Sequence, residues 1–267
     1  MDGRRSRGRV WRLLLGLLLG CAIAIPGWRR RALTADGAAA ATLVGAATFG
    51  FGGLPASLGL IAFFLTGSAL SRRKAADGEL SSARGSRRDA VQVLANGGIA
   101  ALALTAGELG LPRMGGAALG SLAAAAADTW ASEVGVRSPW PPRSIVTGQV
   151  VRPGTSGGVT LLGWGAAAAG ALTVGTAWTV AARRRPSLVL CALLAGLCGS
   201  LADSLAGATI QAAYFCETCG ATFEAAGEHC GWPRRLVRGR AWVTNDAVNV
   251  IGTAVGALVG TFVTSSE

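Results

Sequence analysis

Long uncharged apolar stretches alternate along this chain with short clusters of arginine. The stretches cover 13–28, 37–71, 90–107, 114–127, 153–182, 186–202, 204–216 and 247–266. A membrane-crossing helix needs about 20 predominantly apolar residues. The 37–71 stretch holds 35 residues and is broken by Gly50-Phe51-Gly52-Gly53-Leu54-Pro55, so it reads as two short helices in a hairpin. The two stretches flanking Asp203 join into one helix that carries a carboxylate. The pattern predicts an all-α, polytopic integral membrane protein with about seven to eight Ala/Gly-rich transmembrane helices.

Composition sharpens this. Charged residues make up 15% of the 267, against roughly 25% in soluble domains. The 51% hydrophobic content excludes disorder. The net charge of +11 sits between apolar stretches and lines no polar surface, which argues against a nucleic-acid partner. The expected surroundings are a lipid bilayer, the cell membrane of a prokaryote. Forty glycines permit close helix approach.

Residues 1–36 form a basic N-terminus with a first membrane helix. Ala22-Ile23-Ala24 resembles a signal-peptide cleavage site, but the reading keeps the helix. Residues 37–267 form the main membrane domain, with a Cys/His loop at 214–244. Loops 71–89, 133–152 and 215–244 carry thirteen cationic residues, and Arg29–Arg31 join them if the 37–71 hairpin forms. The other side receives nine. The first side is therefore expected to be cytoplasmic, although five N-terminal arginines then fall outside.

The polar groups in or beside the predicted helices gather towards that side. Asp89, Gln92 and Asn96 share one face of the fourth segment. Asp128, Ser132 and Glu133 close the fifth. Asp203, Gly207 and Gln211 follow one face of the seventh, and Asn245, Asp246 and Asn249 open the eighth. Intramembrane carboxylates mark functional sites by default. Several held together repel unless a cation joins them, and hard oxygen ligands favour Mg²⁺ completed by substrate phosphate. An ion or lipid transporter uses the same groups. Arg152-Pro153-Gly154-Thr155-Ser156-Gly157-Gly158 precedes the next helix, and such a Gly-rich entry serves as a turn or as a phosphate cradle.

Cys216-x-x-Cys219 is followed ten residues later by the single histidine, in His229-Cys230. Three thiols and an imidazole offer a closed structural Zn²⁺ site. A reduced cysteine cluster without metal is the alternative.

Asp128-Thr129-Trp130-Ala131-Ser132-Glu133-Val134-Gly135 resembles the signature of an integral-membrane family known as domain of unknown function 92. That family includes animal transmembrane protein 19 and a plant phytyl-phosphate kinase. Arg31–Gly37, Arg88–Gly98, Pro153–Gly158, Gly199–Ala208 and Asn245–Asn249 match further family blocks in order. A more distant similarity links the family to the polyprenol kinases. The resemblance implies phosphoryl transfer from a nucleoside triphosphate, CTP or another, to an isoprenyl monophosphate at the cytoplasmic face. It implies that Asp128, Glu133, Asp203 and Asp246 are catalytic, with Asp128, Asp203 and Asp246 holding Mg²⁺. Arg88, Asp89, Gln92, Asn96, Ser132, Arg152, Gly154, Thr155, Ser156, Gly157, Gly158, Ser204, Gln211, Asn245 and Asn249 would bind nucleotide or substrate. The competing function is a transporter of an ion or phosphorylated lipid.

Overall fold

A computed structural model describes residues 2–76, 87–183 and 186–263; the side chains of residues 2–9 and 73–76 are not among those described. Arg84 of the first basic loop and Arg184–Arg185 lie outside the described residues. Seven long helices dominate: α1 (Asp2–Arg29), α2 (Ala35–Ala76), α3 (Ala90–Glu108), α4 (Met114–Gly135), α5 (Leu161–Ala182), α6 (Ser187–Thr209) and α7 (Asn245–Val263). All but α4 are long and apolar enough to cross a membrane.

The 42 residues of α2 fold back on themselves at Gly53, whose φ of 64° lies in the left-handed region. Gly50 packs on Leu13 and Gly20 on Thr42, so the first limb runs antiparallel to α1. Gly27 meets both Leu33 and Phe64, which places the second limb back at the level where the first began. The hairpin read from the 37–71 stretch is therefore present, and the bundle contains eight helical segments.

The helix α4 is the axis of the bundle. It packs against α2, α3, α5, α6 and α7. Every residue from Gly116 to Ala127 is buried. Alanine or glycine at all of those positions except Leu119, Ser121 and Leu122 explains how so many neighbours fit. Gly116, Gly120 and Ala124 repeat every four residues and oppose Gly260, Gly256 and Gly252 of α7. A Cβ on Gly120 or Gly260 would collide with the facing backbone carbonyl. On the next face, Gly199 of α6 lies against Ala124 and the Gly252 carbonyl, and Gly170 of α5 against the Ala126 carbonyl. Backbones this close gain dispersion contacts that larger side chains would block.

One end of the bundle is elaborated. The loop after α4 forms a small hairpin, β1 (Arg143–Ser144) with β2 (Gly158–Val159), and Thr160 then caps α5 by accepting from the Gly163 amide. The loop after α6 builds a three-stranded antiparallel sheet in which β3 (Ala213–Phe215) lies between β4 (Thr222–Phe223) and β7 (Arg235–Arg238). A second hairpin pairs β5 (Glu228–His229) with β6 (Trp232–Pro233). Leu33 and Arg88 pair as a backbone bridge at the same end, where Gly37 sits directly under the Arg88 carbonyl. Asp36 accepts from the first amide of α3, Ala90, at 3.1 Å.

The glycine contacts define a mutational contrast. Gly120→Ala should destabilise the protein by about 1–3 kcal/mol, the usual cost of overpacking. Gly115→Ala, in the same helix with open space at its Cβ, should be neutral or gain up to about 1 kcal/mol from helix propensity. Thermal unfolding in detergent measures both; equal effects would remove α4–α7 backbone contact as the basis of the fold.

Candidate functional site

Asp128 lies at the point where α4 leaves its fully buried stretch, and Asp203 lies a little over one turn beyond Gly199 on α6. Because Gly199 and Gly252 let α4, α6 and α7 touch, the two carboxyl groups meet closely enough to act on each other directly. A Cβ on Gly252 would stand 3.2 Å from the Asp203 Cβ, so a larger residue there would push the pair apart. One Asp203 oxygen, Oδ2, is buried without a hydrogen-bond partner. Two carboxyl groups in contact require a shared proton or a cation, and a buried carboxylate oxygen without a hydrogen-bond partner has the donor chemistry of a hard-cation ligand.

Three pieces of the extramembrane layer converge on this pair. Gly157 is pressed against Ala208, and Gly207 against the Gly157 amide and Ser156, so the Gly-rich loop sits on the end of α6. Ser156 Oγ donates to Glu224 Oε1 at 2.5 Å. The Glu224 carboxylate is close enough for its charge to act on both Asp203 and Arg238. Burial holds the Arg238 guanidinium below its usual range, and Glu224 opposes that. Neither Glu224 nor Arg238 stood out in the sequence, because both lie in the cysteine loop with no spacing that ties them to the membrane acids.

Other expected residues are placed differently. Glu133 lies on a different face of α4 from Asp128; it accepts from Ser71 Oγ at 2.8 Å and faces the Arg88 charge. The structure does not bring it to the Asp128–Asp203 pair. Asp89 and Gln92 bond each other as a capping box at the start of α3, and Asn96 donates back to the Gln92 carbonyl. Gln92 and Asn96 nonetheless line a cavity with Arg88. Ser132 is exposed. Arg152 is also exposed and donates to the Gly220 carbonyl, tying the Gly-rich loop, with Gly154 and Thr155, to the cysteine loop. Gln211 is buried at the junction of α6 with that loop, its backbone paired to Arg240. Ser204 follows Asp203 on α6. Asp246 is buried in the first turn of α7 between Asn245 and Asn249, one to two turns from Gly252.

The four expected zinc ligands do meet. One donor atom from each of Cys216, Cys219, His229 and Cys230 lies within 4.8 Å of the others. His229 Nδ1 is 3.4 Å from Cys219 Sγ and 3.3 Å from Cys230 Sγ. The His229 hydrogen bond draws the Cys216 thiol down to about 6. Burial, followed by the Cys219 sulfur, pushes Cys230 up to about 11. Thiols that compete for protons in this way suit a dication that binds them all as thiolates. Phe223 stacks on the His229 ring at 4.7 Å, so the cluster is one residue from Glu224.

Comparison with known proteins gives this arrangement a family. The model of the integral membrane protein family DUF92 matches residues 18–257. The chain belongs to that family. It is 34% identical to Protein PGR of Arabidopsis thaliana over 238 residues, covering 77% of this chain and 81% of the relative. It is 29% identical to an uncharacterized membrane protein of Methanocaldococcus jannaschii, covering 94% of each chain. No solved structure matches. Membership makes this family protein a multi-pass integral membrane protein, in agreement with its helices.

Crowding of the acids predicts a stability effect. In a metal-free buffer at neutral pH, Asp203→Asn should raise the melting temperature by roughly 2–4 °C, the shift expected for about 1 kcal/mol in a chain of this size. An amide still bonds Asp128 but cannot repel it. A fall in melting temperature would show that the pair stabilises the fold.

Proposed function

We propose that this protein is a membrane phosphotransferase that moves the γ-phosphoryl group of a nucleoside triphosphate, CTP or another, to an isoprenyl monophosphate. The observation that carries the reading is the Asp128–Asp203 carboxyl pair lying under a Gly-Ser loop at the arginine-rich end of the bundle. That end is taken as the cytoplasmic face of a prokaryotic plasma membrane, where nucleotide is available.

Phosphoryl transfer depends mainly on positioning and charge neutralisation. Asp128 and Asp203 fit a divalent cation by donor type and by the bare Oδ2, and Asp246 is the further carboxylate from α7. When bound, Mg²⁺ would supply charge neutralisation for the triphosphate. The Thr155 and Gly158 amides close the loop on the Arg152 and Thr155 carbonyls, which leaves the Gly154, Ser156 and Gly157 amides and the Thr155 hydroxyl to hold phosphate oxygens. Asn245 and Asn249 offer amide groups to nucleotide. An acceptor phosphate oxygen attacks the γ-phosphorus, the bond to the β–γ bridging oxygen breaks, and the nucleoside diphosphate leaves. The acceptor is already ionised near neutral pH, so no side chain serves as general base. A transporter needs access from both ends. Here α4 beyond Asp128 is sealed by twelve consecutive buried residues, Gly116–Ala127, which favours the enzyme.

Purified protein with Mg²⁺ and a panel of CTP, ATP and isoprenyl monophosphates should yield isoprenyl diphosphate. Asp128→Asn and Asp203→Asn should lower kcat by 10²-fold or more, as loss of a main electrostatic group does, with melting temperatures at or above wild type. Wild-type turnover by either variant rejects the reading. Separately, we infer that the Cys/His loop holds one structural Zn²⁺. Metal analysis should find about one zinc per chain, lost in Cys219→Ser. A zinc-free preparation with unchanged melting behaviour would refute this.

A further inference from the structure

Two cavities share a single residue, Arg88. The first, about 80 Å³, lies between α1, both limbs of α2 and α3. Ile23, Val44, Leu60, Ile61 and Phe64 make its walls apolar. Its polar residues are Arg88, Gln92 and Asn96. The second, also about 80 Å³, is lined by Arg30, Arg31, Arg72 and Arg88 with Ser68 and Ser71. Arg30, Arg31 and Arg72 are exposed, so their heads are free to move onto a ligand.

Ser68 is 8% exposed, and its Oγ is buried with no hydrogen-bond partner. A buried hydroxyl without a partner is costly, and here it faces a basin of four guanidinium groups. Glu133 borders the basin, accepts from Ser71 and sets its charge against Arg88. Arg88 stacks over Phe63 at 5.5 Å. An apolar slot that ends at an arginine basin has the shape and charge of an amphiphile with one anionic end.

Position adds to this. A Cβ on Gly67 would meet Arg88 Nη2 at 2.9 Å and Thr129 Cγ2 at 3.3 Å, so only a glycine separates Arg88 from the residue next to Asp128. Arg88 is thereby packed against the α4 segment that carries Asp128 and Glu133.

We propose that this cleft is the acceptor site: it takes a single-chain lipid with a terminal monophosphate. The tail lies in the slot between α1, α2 and α3. The phosphate accepts from Arg30, Arg72 and Arg88 and from the Ser68 hydroxyl. The identity of the ligand as acceptor rests on the kinase reading; the amphiphile site itself does not.

The test is binding of phytyl monophosphate to the purified full-length protein, followed by tryptophan fluorescence. Phytol, inorganic phosphate and a two-chain phosphatidic acid are the comparators. Phytyl monophosphate should bind at least roughly tenfold more tightly than each comparator, because only it offers both tail and charge-assisted bonds. The Arg30→Gln/Arg72→Gln double variant, altered only at exposed positions, should weaken binding roughly tenfold. Arg88→Gln should weaken it further, and Ile61→Trp should do so by filling the slot. Asp203→Asn should bind as wild type does. Binding with this pattern but no turnover supports the site and sinks the kinase reading. Turnover with an unchanged KM in the Arg30/Arg72 double variant sinks the site and keeps the kinase. Equal binding of phosphatidic acid or of phosphate alone also overturns the proposal.

Discussion

Backbone-to-backbone contact of α4 with its neighbours is the constraint on which the rest of the structure depends. In a bilayer there is little hydrophobic gain from burying one helix against another, because lipid tails are equally apolar. Attraction comes instead from short-range dispersion, which falls away steeply with separation. Gly116, Gly120, Gly252, Gly256 and Gly260 remove the side chains that would hold α4 and α7 apart. Gly199 does the same for α6. The meeting of Asp128 and Asp203 follows directly, since neither side chain is long enough to bridge helices at ordinary spacing.

Stability and chemistry thus use the same contacts in opposite senses. The glycine seams lower the energy of the folded bundle, and the carboxyl pair at their end raises it. The extramembrane layer is linked to the same point: Ser156 reaches Glu224, Glu224 faces Asp203 and Arg238, and Phe223 rests on His229. The Gly-rich loop and the cysteine loop are therefore parts of one cap over α6.

The alternation of apolar stretches and arginine clusters was enough to read the helix count and the hairpin at Gly53, because bilayer thickness imposes those lengths. It was also enough to place the polar residues at one end. What it did not reveal was which faces meet. On α4, Asp128 and Glu133 are five residues apart and point to different neighbours, and linear order does not say which neighbour holds the partner. Asp89 and Gln92 resembled site residues because a capping box uses the same polar types as a binding site. Glu224 and Arg238 were invisible because their relation to Asp203 arises from a loop whose path depends on β3, β4 and β7. The Cys/His cluster was legible because Cys216-x-x-Cys219 followed by His229-Cys230 is a spacing that helix packing alone does not leave.

The φ of 64° at Gly53 also has a consequence for the chain as a whole. Drawn out straight, the 42 residues of α2 would measure about 63 Å at 1.5 Å per residue, twice the roughly 30 Å hydrocarbon core. The left-handed turn converts that excess into a return journey, and so changes an odd number of crossings into an even one. Every later loop is thereby assigned to its side of the membrane. One glycine's handedness sets the parity of the topology, and with it which compartment supplies the site.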